Sequence, residues 1–128
     1  MFRKILAIDD SDIVLDFHRY TLRHLVDAEL LTASNGVEGF KKLKENPDID
    51  LILLDINMPL LDGVSFLRLL RDEREPFSVL PVVIISTENE HADINEAFTA
   101  GADAYIRKPF ERSELIKVLE NLAKKRQI

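Results

Sequence analysis

The sequence predicts a doubly wound α/β domain in which five parallel strands alternate with five helices. Five short apolar runs recur along the 128 residues, separated by longer segments whose apolar residues follow a helical spacing. Three of the runs are apolar at nearly every position, which is typical of strands covered on both faces of a parallel sheet. Because parallel neighbours need crossover connections, and these are almost always right-handed, helices are expected on both faces of the sheet.

The five apolar runs are the predicted strands, at residues 5–8, 30–33, 51–54, 82–85 and 104–106. The first helix is predicted from Val14, Phe17, Thr21 and Leu25, which recur at steps of three and four residues, as one apolar stripe does. The other stripes are Val37 and Phe40, then Val64, Leu67 and Leu70, then Ile94, Ala97 and Phe98, and finally Leu115, Val118, Leu119 and Leu122. Two strand orders are common in doubly wound sheets, and periodicity does not distinguish them.

The residues between the predicted elements suit helix ends and turns. Ser11 or Asp10 can cap the first helix and Asp62 the third, because a short polar side chain there accepts a hydrogen bond from a free backbone N–H. Gly101 follows the fourth helix, where a left-handed residue is expected. Three prolines fall where a missing N–H does no harm: Pro47, Pro76 and Pro81.

Composition limits the classes of protein to be considered. The chain has 23 acidic and 17 basic residues, a formal net charge of −6 and no cysteine, and one domain over residues 1–128 is expected. The lack of cysteine excludes a disulfide scaffold, a thiolate zinc site and a cysteine nucleophile. The acidic balance argues against nucleic-acid binding. The apolar stretches are far shorter than the ~20 residues of a membrane helix, and no signal sequence is visible, so a cytoplasmic domain without membrane insertion is expected.

Polar and charged side chains follow four of the five predicted strands. Asp9 and Asp10 follow the first strand, and Asp55 and Asn57 follow the third. Ligands of doubly wound sheets bind outside the carboxyl ends of the strands, so these groups are expected to share one cleft. The remaining members of the set are Ser86, Thr87 and Glu88 after the fourth strand and Lys108 after the fifth.

This set of groups suits a metal-assisted phosphoryl site. Converging carboxylates repel one another, and a hard divalent cation such as Mg²⁺ removes that penalty, with a backbone carbonyl near Asn57 as a further ligand. The metal would neutralise charge on a phosphoryl group, while Lys108 adds a positive charge and Ser86 a hydrogen bond. Asp55 is the best candidate nucleophile, because the acidic pair after the first strand is better suited to holding the metal.

Four motifs carry a resemblance to a known family. They are IDDS at 8–11, LDINMP at 54–59 followed by Asp62 and Gly63, PVVIIS at 81–86, and GADAYIRKPF at 101–110. With these motifs the chain resembles, over essentially its whole length, the receiver domain of bacterial response regulators in its stand-alone, CheY-like form. The resemblance implies a flavodoxin-like sheet of strand order 2-1-3-4-5 and a part in two-component signal transduction.

The resemblance also implies a role for each residue of the site. Asp55 would accept a phosphoryl group from a sensor histidine kinase. Asp10 would be the more direct Mg²⁺ ligand of the pair that it forms with Asp9, and Asp55 and the backbone carbonyl of Asn57 would complete the protein ligands. Lys108 would bind the phosphoryl group, and its peptide bond to Pro109 is expected to be cis.

The same resemblance implies a conformational switch. Phosphorylation adds roughly −1.5 to −2 charge at Asp55. Ser86, as the switch hydroxyl, would be drawn towards the phosphoryl group, and Tyr105, as the aromatic switch, would fill the vacated space. The face formed by the fourth helix, fifth strand and fifth helix would then change and recruit an unidentified downstream protein. Such a chain is not an enzyme, apart from catalysing its own phosphorylation and dephosphorylation.

Two alternative functions stay open. A Mg²⁺-dependent phosphohydrolase working through an aspartyl-phosphate needs an acid/base Asp two residues after the nucleophile, where this chain has Asn57. A pseudo-receiver that binds partners without phosphorylation is disfavoured by the complete acidic and basic set.

Thr87 is expected to narrow access to Asp55, although it could replace Ser86 as the switch hydroxyl. Asn57 and Glu88 are expected to tune the phosphoryl lifetime. Only packing or surface roles are expected for His18, His24, His91 and residues 124–126.

Overall fold

The computed structural model describes residues 2–23, 28–87 and 91–126, apart from the side chains of residues 91, 92 and 126. The strands are β1 (Lys4–Ile8), β2 (Glu29–Ala33), β3 (Leu51–Leu54), β4 (Val82–Ser86) and β5 (Ala104–Arg107). The helices are α1 (Asp12–Leu22), α2 (Gly36–Glu45), α3 (Gly63–Arg71), α4 (His91–Ala100) and α5 (Arg112–Arg126). A short 3₁₀ helix, Phe77–Val79, precedes β4.

The five strands form one parallel sheet in the order β2-β1-β3-β4-β5. The predicted fold class is confirmed, and so is the strand order that the resemblance implied. Every predicted strand is present within one residue at each end. Ser86 is the last residue of β4 rather than the first residue beyond it, because it pairs with Arg107 of β5.

Alternate residues of the strands supply two cores, one on each face of the sheet. One core packs under α2, α3 and α4 and includes Ile8, Leu54 and Ile84. The other packs under α1 and α5 and includes Ala7, Leu53 and Ile85. Burial on both faces explains why these strands show no alternation between apolar and polar residues.

Two of the predicted helical stripes are only partly correct, since each keeps one predicted core-facing residue, Thr21 on α1 and Phe40 on α2. On α1 the buried side chains are Leu15, His18, Thr21 and Leu22, whereas Val14 is only half-buried and Phe17 is 37% exposed. Leu25 and His24 lie outside the described residues. The stripe was misplaced because apolar residues at several adjacent positions of α1 define more than one face.

The second such stripe is on α2, where Val37 is 58% exposed. This helix packs through Gly36, Gly39 and Leu43, together with Phe40 of the predicted stripe, which is half-buried against the same core. A Cβ atom on Gly39 would lie 2.6 Å from Ile8 Cδ1, so the glycine allows α2 to approach the sheet closely. On α4, similarly, the buried positions are alanines, Ala97 and Ala100.

The predicted helix ends are present. Ser11 Oγ accepts a hydrogen bond from the Val14 N–H (3.4 Å), and Asp62 Oδ1 accepts one from the Ser65 N–H (2.9 Å). This bond also lowers the pKa of Asp62. Gly101 follows α4 with a φ of 115°, in the region that favours glycine.

Arg71, the last residue of α3, joins three segments at the amino edge of the sheet. Its guanidinium donates hydrogen bonds to the carbonyl oxygens of Leu80 and Gly101, each at 2.7 Å, and pairs with the Asp103 carboxylate at 3.1 Å. Asp103 also accepts a hydrogen bond from the Val82 N–H at 2.8 Å. The carboxyl end of α4 is therefore fastened to α3 and to the segment that leads into β4.

Candidate functional site

Three carboxylates meet at the carboxyl edge of the sheet. Asp9 follows β1 and Asp55 follows β3, and these neighbouring strands bring them together, with the Asp55 N–H donating to the Ile8 carbonyl at 3.0 Å. Carboxylate oxygens of Asp9, Asp10 and Asp55 all lie within 4.8 Å of one another. Asp9 and Asp55 are buried, with 2% and 6% exposure, whereas Asp10 is exposed. The cluster therefore opens to solvent on the Asp10 side.

The Lys108 ammonium lies against the two buried carboxylates. Its Nζ is 2.8 Å from Asp9 Oδ2 and 3.4 Å from Asp55 Oδ1. The backbone N–H of Lys108 donates to the Ser86 carbonyl at 2.8 Å, which fixes the lysine to the end of β4. The Lys108–Pro109 peptide bond is cis, as the resemblance implied, and so is Glu75–Pro76. The Lys108 ammonium thus pairs with two of the three carboxylates of the cluster.

The surroundings of Asp55 disfavour its negative charge. Burial is the largest cause that raises the pKa of Asp55, and together with the charges of Asp9 and Asp10, and against the opposing effect of Lys108, it brings that pKa to about 6. The carboxylate repulsion expected from the sequence is therefore present at Asp55. A cation bound among these carboxylates would relieve it.

This raised pKa predicts how stability depends on pH. The pKa of Asp55 is about 6 in the folded state and 3.8, its ordinary value, in the unfolded state. Because the folded state therefore binds this proton more tightly, the contribution of Asp55 to stability falls as the pH rises from about 4 to about 6. Without divalent cations, Asp55→Asn is expected to raise the free energy of unfolding at pH 7 by about 2–3 kcal/mol, since one pKa unit is worth about 1.4 kcal/mol.

Urea unfolding of both proteins from pH 4 to pH 7.5 measures this difference. The advantage of Asp55→Asn should vanish near pH 4, where the wild-type carboxyl is also neutral. The titration of His18, which falls in the same range, is common to both proteins and cancels in the comparison. An advantage of equal size at every pH would contradict the assigned cause.

The predicted switch residues lie on one face of the sheet. Ser86 is fully buried on β4, and Tyr105 is half-buried on β5. Tyr105 pairs in register with Ile84, and Ser86 lies two residues further along β4, so both side chains project towards the α4 face. Tyr105 packs against the core under α4.

The other predicted site residues have more open positions. Asn57 and Thr87 are exposed, in the loop after β3 and immediately after β4 respectively. Glu88 lies outside the described residues, and so does the side chain of His91. Lys124 and Lys125 are exposed on the last turns of α5, as expected for the solvated end of a helix.

The loop after β3 doubles back over the Asp55 backbone. Leu60 has a left-handed φ of 70°, and the Gly63 N–H donates to the Ile56 carbonyl at 2.8 Å. A Cβ on Gly63 would overlap the Asp55 carbonyl oxygen and would lie 2.8 Å from Ile56 Cα. Only glycine therefore allows α3 to begin so close to Asp55.

An apolar groove beside the carboxylates was missed in the sequence analysis. It encloses about 410 Å³ and is lined by Ile13, Val14, Phe17, Thr87, Lys108, Pro109 and Phe110. Ile13 is 82% exposed, and the ring of Phe110 packs edge-on against Phe17 with centroids 5.2 Å apart. Its sequence signal was the excess of apolar residues at 13, 14 and 17, which one core-facing stripe does not require.

Residues 5–120 match the family described as the response regulator receiver domain. The chain belongs to this family. Chemotaxis protein CheY1 of Helicobacter pylori is 34% identical to it over 117 residues, which make up 91% of this receiver domain and 94% of the relative. The complete acidic and basic set of the domain agrees with the resemblance noted from its motifs.

Solved structures agree with this membership. CheY4 of Vibrio cholerae superposes with a TM-score of 0.85 at 29% identity, over 94% of this receiver domain and 98% of that chain. The receiver domain of sensor histidine kinase PA1611 from Pseudomonas aeruginosa, with a magnesium ion coordinated in its active-site cleft, gives 0.83 at 26% identity, over 94% and 97%.

These matches make the chain a response regulator of two-component signalling. Neither the phosphohydrolase nor the pseudo-receiver gains support from any of them. None of the helices in the described ranges has the length and apolar character needed to cross a membrane.

Proposed function

We propose that Asp55 of this receiver domain accepts a phosphoryl group from a histidine kinase in a Mg²⁺-dependent reaction, and that the modified Asp55 changes the surface of α4, β5 and α5. The observation that carries the proposal is the Lys108 ammonium held between Asp9 and Asp55 in a cluster of three carboxylates. This cluster supplies a nucleophile, metal ligands and a cation for the phosphoryl oxygens at one place.

The residues of the cluster fit Mg²⁺. This ion prefers oxygen ligands, and three carboxylate oxygens lie within 4.8 Å of one another with one side open to solvent. Asp10, Asp55 and the backbone carbonyl of Asn57 would hold the ion, with Asp9 beside them. When bound, Mg²⁺ supplies positive charge for the phosphoryl oxygens. A magnesium ion in the cleft of the Pseudomonas receiver domain supports this assignment.

The transfer step follows from the position of Asp55. An Asp55 oxygen attacks the phosphorus of a phosphohistidine, the new O–P bond forms as the P–N bond breaks, and the electron pair returns to the imidazole of the donor. A pKa of about 6 leaves most Asp55 side chains ionised at pH 7 and above, as attack requires. Lys108 Nζ, already beside Asp55, meets the charge on the phosphoryl oxygens.

The response proposed here uses the shared face of Ser86 and Tyr105. The Ser86 hydroxyl donates to a phosphoryl oxygen, which draws the end of β4 and the start of α4 towards Asp55. Tyr105, half-buried against the core under α4, then turns inward. The phosphoryl group thereby favours one of two pre-existing arrangements of the α4–β5–α5 surface.

Two partner proteins complete the proposal. The phosphodonor must present its phosphohistidine to Asp55, and the apolar groove formed by Ile13, Val14, Phe17, Pro109 and Phe110 offers it a contact surface beside the site. The target of the changed α4–β5–α5 surface is a second protein. Similarity to chemotaxis proteins makes chemotactic signalling the process that we propose. No turnover of other substrates is expected.

Incubation with Mg²⁺ and acetyl phosphate tests the function. We expect one phosphoryl group per chain, in an acid-stable, base-labile adduct that mass spectrometry detects. Asp55→Asn should lose the adduct, whereas Asp48→Asn, which changes an exposed aspartate beside Lys4, should keep it. Repeated hydrolysis of organic phosphates would favour the phosphohydrolase, and a lack of any adduct would favour the pseudo-receiver.

Thr87 allows a further prediction about access to Asp55. Its exposed side chain lines the same groove as Lys108, whose ammonium contacts Asp55. Thr87→Ala removes that bulk and is expected to accelerate both labelling by acetyl phosphate and loss of the phosphoryl group several-fold. The two rates are measured by phosphate release and by intact-mass analysis over time. Unchanged rates would show that Thr87 does not limit access.

A further inference from the structure

His18 is one of two buried polar residues, with Thr21, on the inner face of α1. It lies on the inner side of α1 between Leu15 and Leu22, with 2% exposure. Among the described residues, its Nδ1 is a buried atom without a hydrogen-bond partner, and so is Thr21 Oγ1 one turn further on. A buried polar atom without a partner lowers stability, so its presence calls for an explanation.

The imidazole of His18 contacts the segment that carries Lys108. It stacks on the ring of Phe110, with centroids 6.0 Å apart and an interplanar angle of 27°, while Phe17 packs edge-on against the same ring. Phe110 thus docks on two aromatic side chains of α1. Pairs of rings at such separations attract each other beyond the burial of their area.

The segment from Lys108 to Phe110 is therefore held at both ends. At one end, the Lys108 N–H bonds to the Ser86 carbonyl at 2.8 Å. At the other, Phe110 rests on the α1 rings. Only Pro109 lies between them, so the position of the Phe110 ring constrains the lysine backbone. The Lys108 ammonium extends from this segment to Asp9 at 2.8 Å and Asp55 at 3.4 Å.

We propose that His18 is a positioning residue for Lys108, and that it acts through its ring contact with Phe110. The inference rests on the proposed function, because a fixed position of the Lys108 ammonium matters only if the ammonium binds the phosphoryl group. The imidazole suits this role when uncharged. Burial is the main cause that lowers the pKa of His18, and with Asp9 opposing and Lys108 reinforcing the shift, that pKa is about 4.

Three variants separate the ring contact from general packing. His18→Leu removes the ring but keeps an apolar side chain, and His18→Phe keeps a ring without nitrogen atoms. Leu22→Val is the matched control. It loosens the same core from the same helix, but it removes no aromatic ring that contacts Phe110. Urea unfolding of each variant establishes that it is folded before any other measurement.

The first measurement needs neither metal nor phosphoryl group. The ¹⁵N resonance of the Lys108 ammonium reports its bond to Asp9, and we expect it to shift and broaden in His18→Leu but not in His18→Phe or Leu22→Val. A resonance unchanged in His18→Leu would overturn the inference, whatever the outcome for the proposed function. If His18→Phe is too large to fold, a double-mutant cycle of His18→Leu with Phe110→Leu replaces it, and additive shifts would overturn the inference.

The second measurement uses calorimetric titration with beryllofluoride, a phosphoryl analogue, in the presence of Mg²⁺, and with Mg²⁺ alone. His18→Leu should weaken beryllofluoride binding roughly three- to tenfold, the range that one aromatic contact is worth. Its affinity for Mg²⁺ should be equal or higher, because a displaced ammonium repels the cation less. Parallel loss of both affinities would indicate general loosening and contradict the inference. Failure of the wild type to bind beryllofluoride would instead count against the proposed function.

Discussion

Lys108→Met is expected to reduce the rate of Asp55 phosphorylation by roughly 10²- to 10³-fold, the range found when one preorganised charge stabiliser is removed from a transition state. The change keeps the length of the side chain but leaves the Asp9 and Asp55 carboxylates without the cation now 2.8 Å and 3.4 Å away. Because Lys108 lowers the pKa of Asp55, its removal should raise that pKa further. The rate with acetyl phosphate at saturating Mg²⁺, followed from pH 6 to pH 9, measures both effects.

The pH profile distinguishes the two contributions of Lys108. A loss caused only by protonation of Asp55 would disappear at high pH, whereas a loss of phosphoryl stabilisation persists there. Lys117→Met, which neutralises an exposed lysine on α5, is the matched control and should retain the wild-type rate. A Lys108→Met protein that is as fast as this control at every pH would show that the ammonium takes no part in the transfer.

Gly63→Ala is expected to lower the free energy of unfolding by about 3 kcal/mol or more, at the upper end of what overpacking costs. The added Cβ would overlap the Asp55 carbonyl oxygen and press on Ile56 Cα, and backbone atoms cannot turn away as a side chain can. The strain falls on the peptide that carries Asp55, so phosphorylation should slow as well. Urea unfolding at neutral pH measures the stability, and labelling with acetyl phosphate measures the rate.

Gly36→Ala provides a close comparison for this prediction. Gly36 and Gly63 are each the first residue of a helix, α2 and α3, so the gain in helix propensity is the same. A Cβ on Gly36 would lie 2.9 Å from Leu61 Cδ2, which can move, and 3.0 Å from the Leu61 Cβ and carbonyl oxygen, so its contact with backbone is milder than the overlap at Gly63. We therefore expect a smaller loss of stability for Gly36→Ala. Equal losses would mean that the loop after β3 can relax.

The strands were predictable because the sheet is covered on both sides. Residues such as Ile52 and Leu53 point to opposite cores, and both must be apolar, so the run itself marks the strand. The phase of a helix is less well determined. On α1, Phe17 and Leu15 are equally apolar, and only the packing against α5 and β1 selects Leu15 for the core. On α2, the close contact with the sheet is made at Gly39, and a glycine carries no apolar signal in the sequence.

The contacts of the site likewise differ in how far the sequence predicts them. Parallel strands of known order bring Asp9 and Asp55 together whatever the loops do, so their proximity followed from the sequence. The contact of His18 with Phe110 depends on how α1 turns about its axis and on the path of the loop after β5. Neither quantity has a periodic signal in the sequence, and the histidine was assigned only a packing or surface role for that reason.

The Arg71 hydrogen bonds restrict how the domain can transmit a signal. They clamp the carboxyl end of α4 through Gly101, at the edge of the sheet away from Asp55. A helix that is fixed at its carboxyl end can move as a rigid body only by rotating about that end. Any displacement of α4 that originates at Ser86 is therefore greatest beside Thr87 and decreases towards Gly101. A partner protein that responds to this displacement must bind the amino-terminal half of the helix.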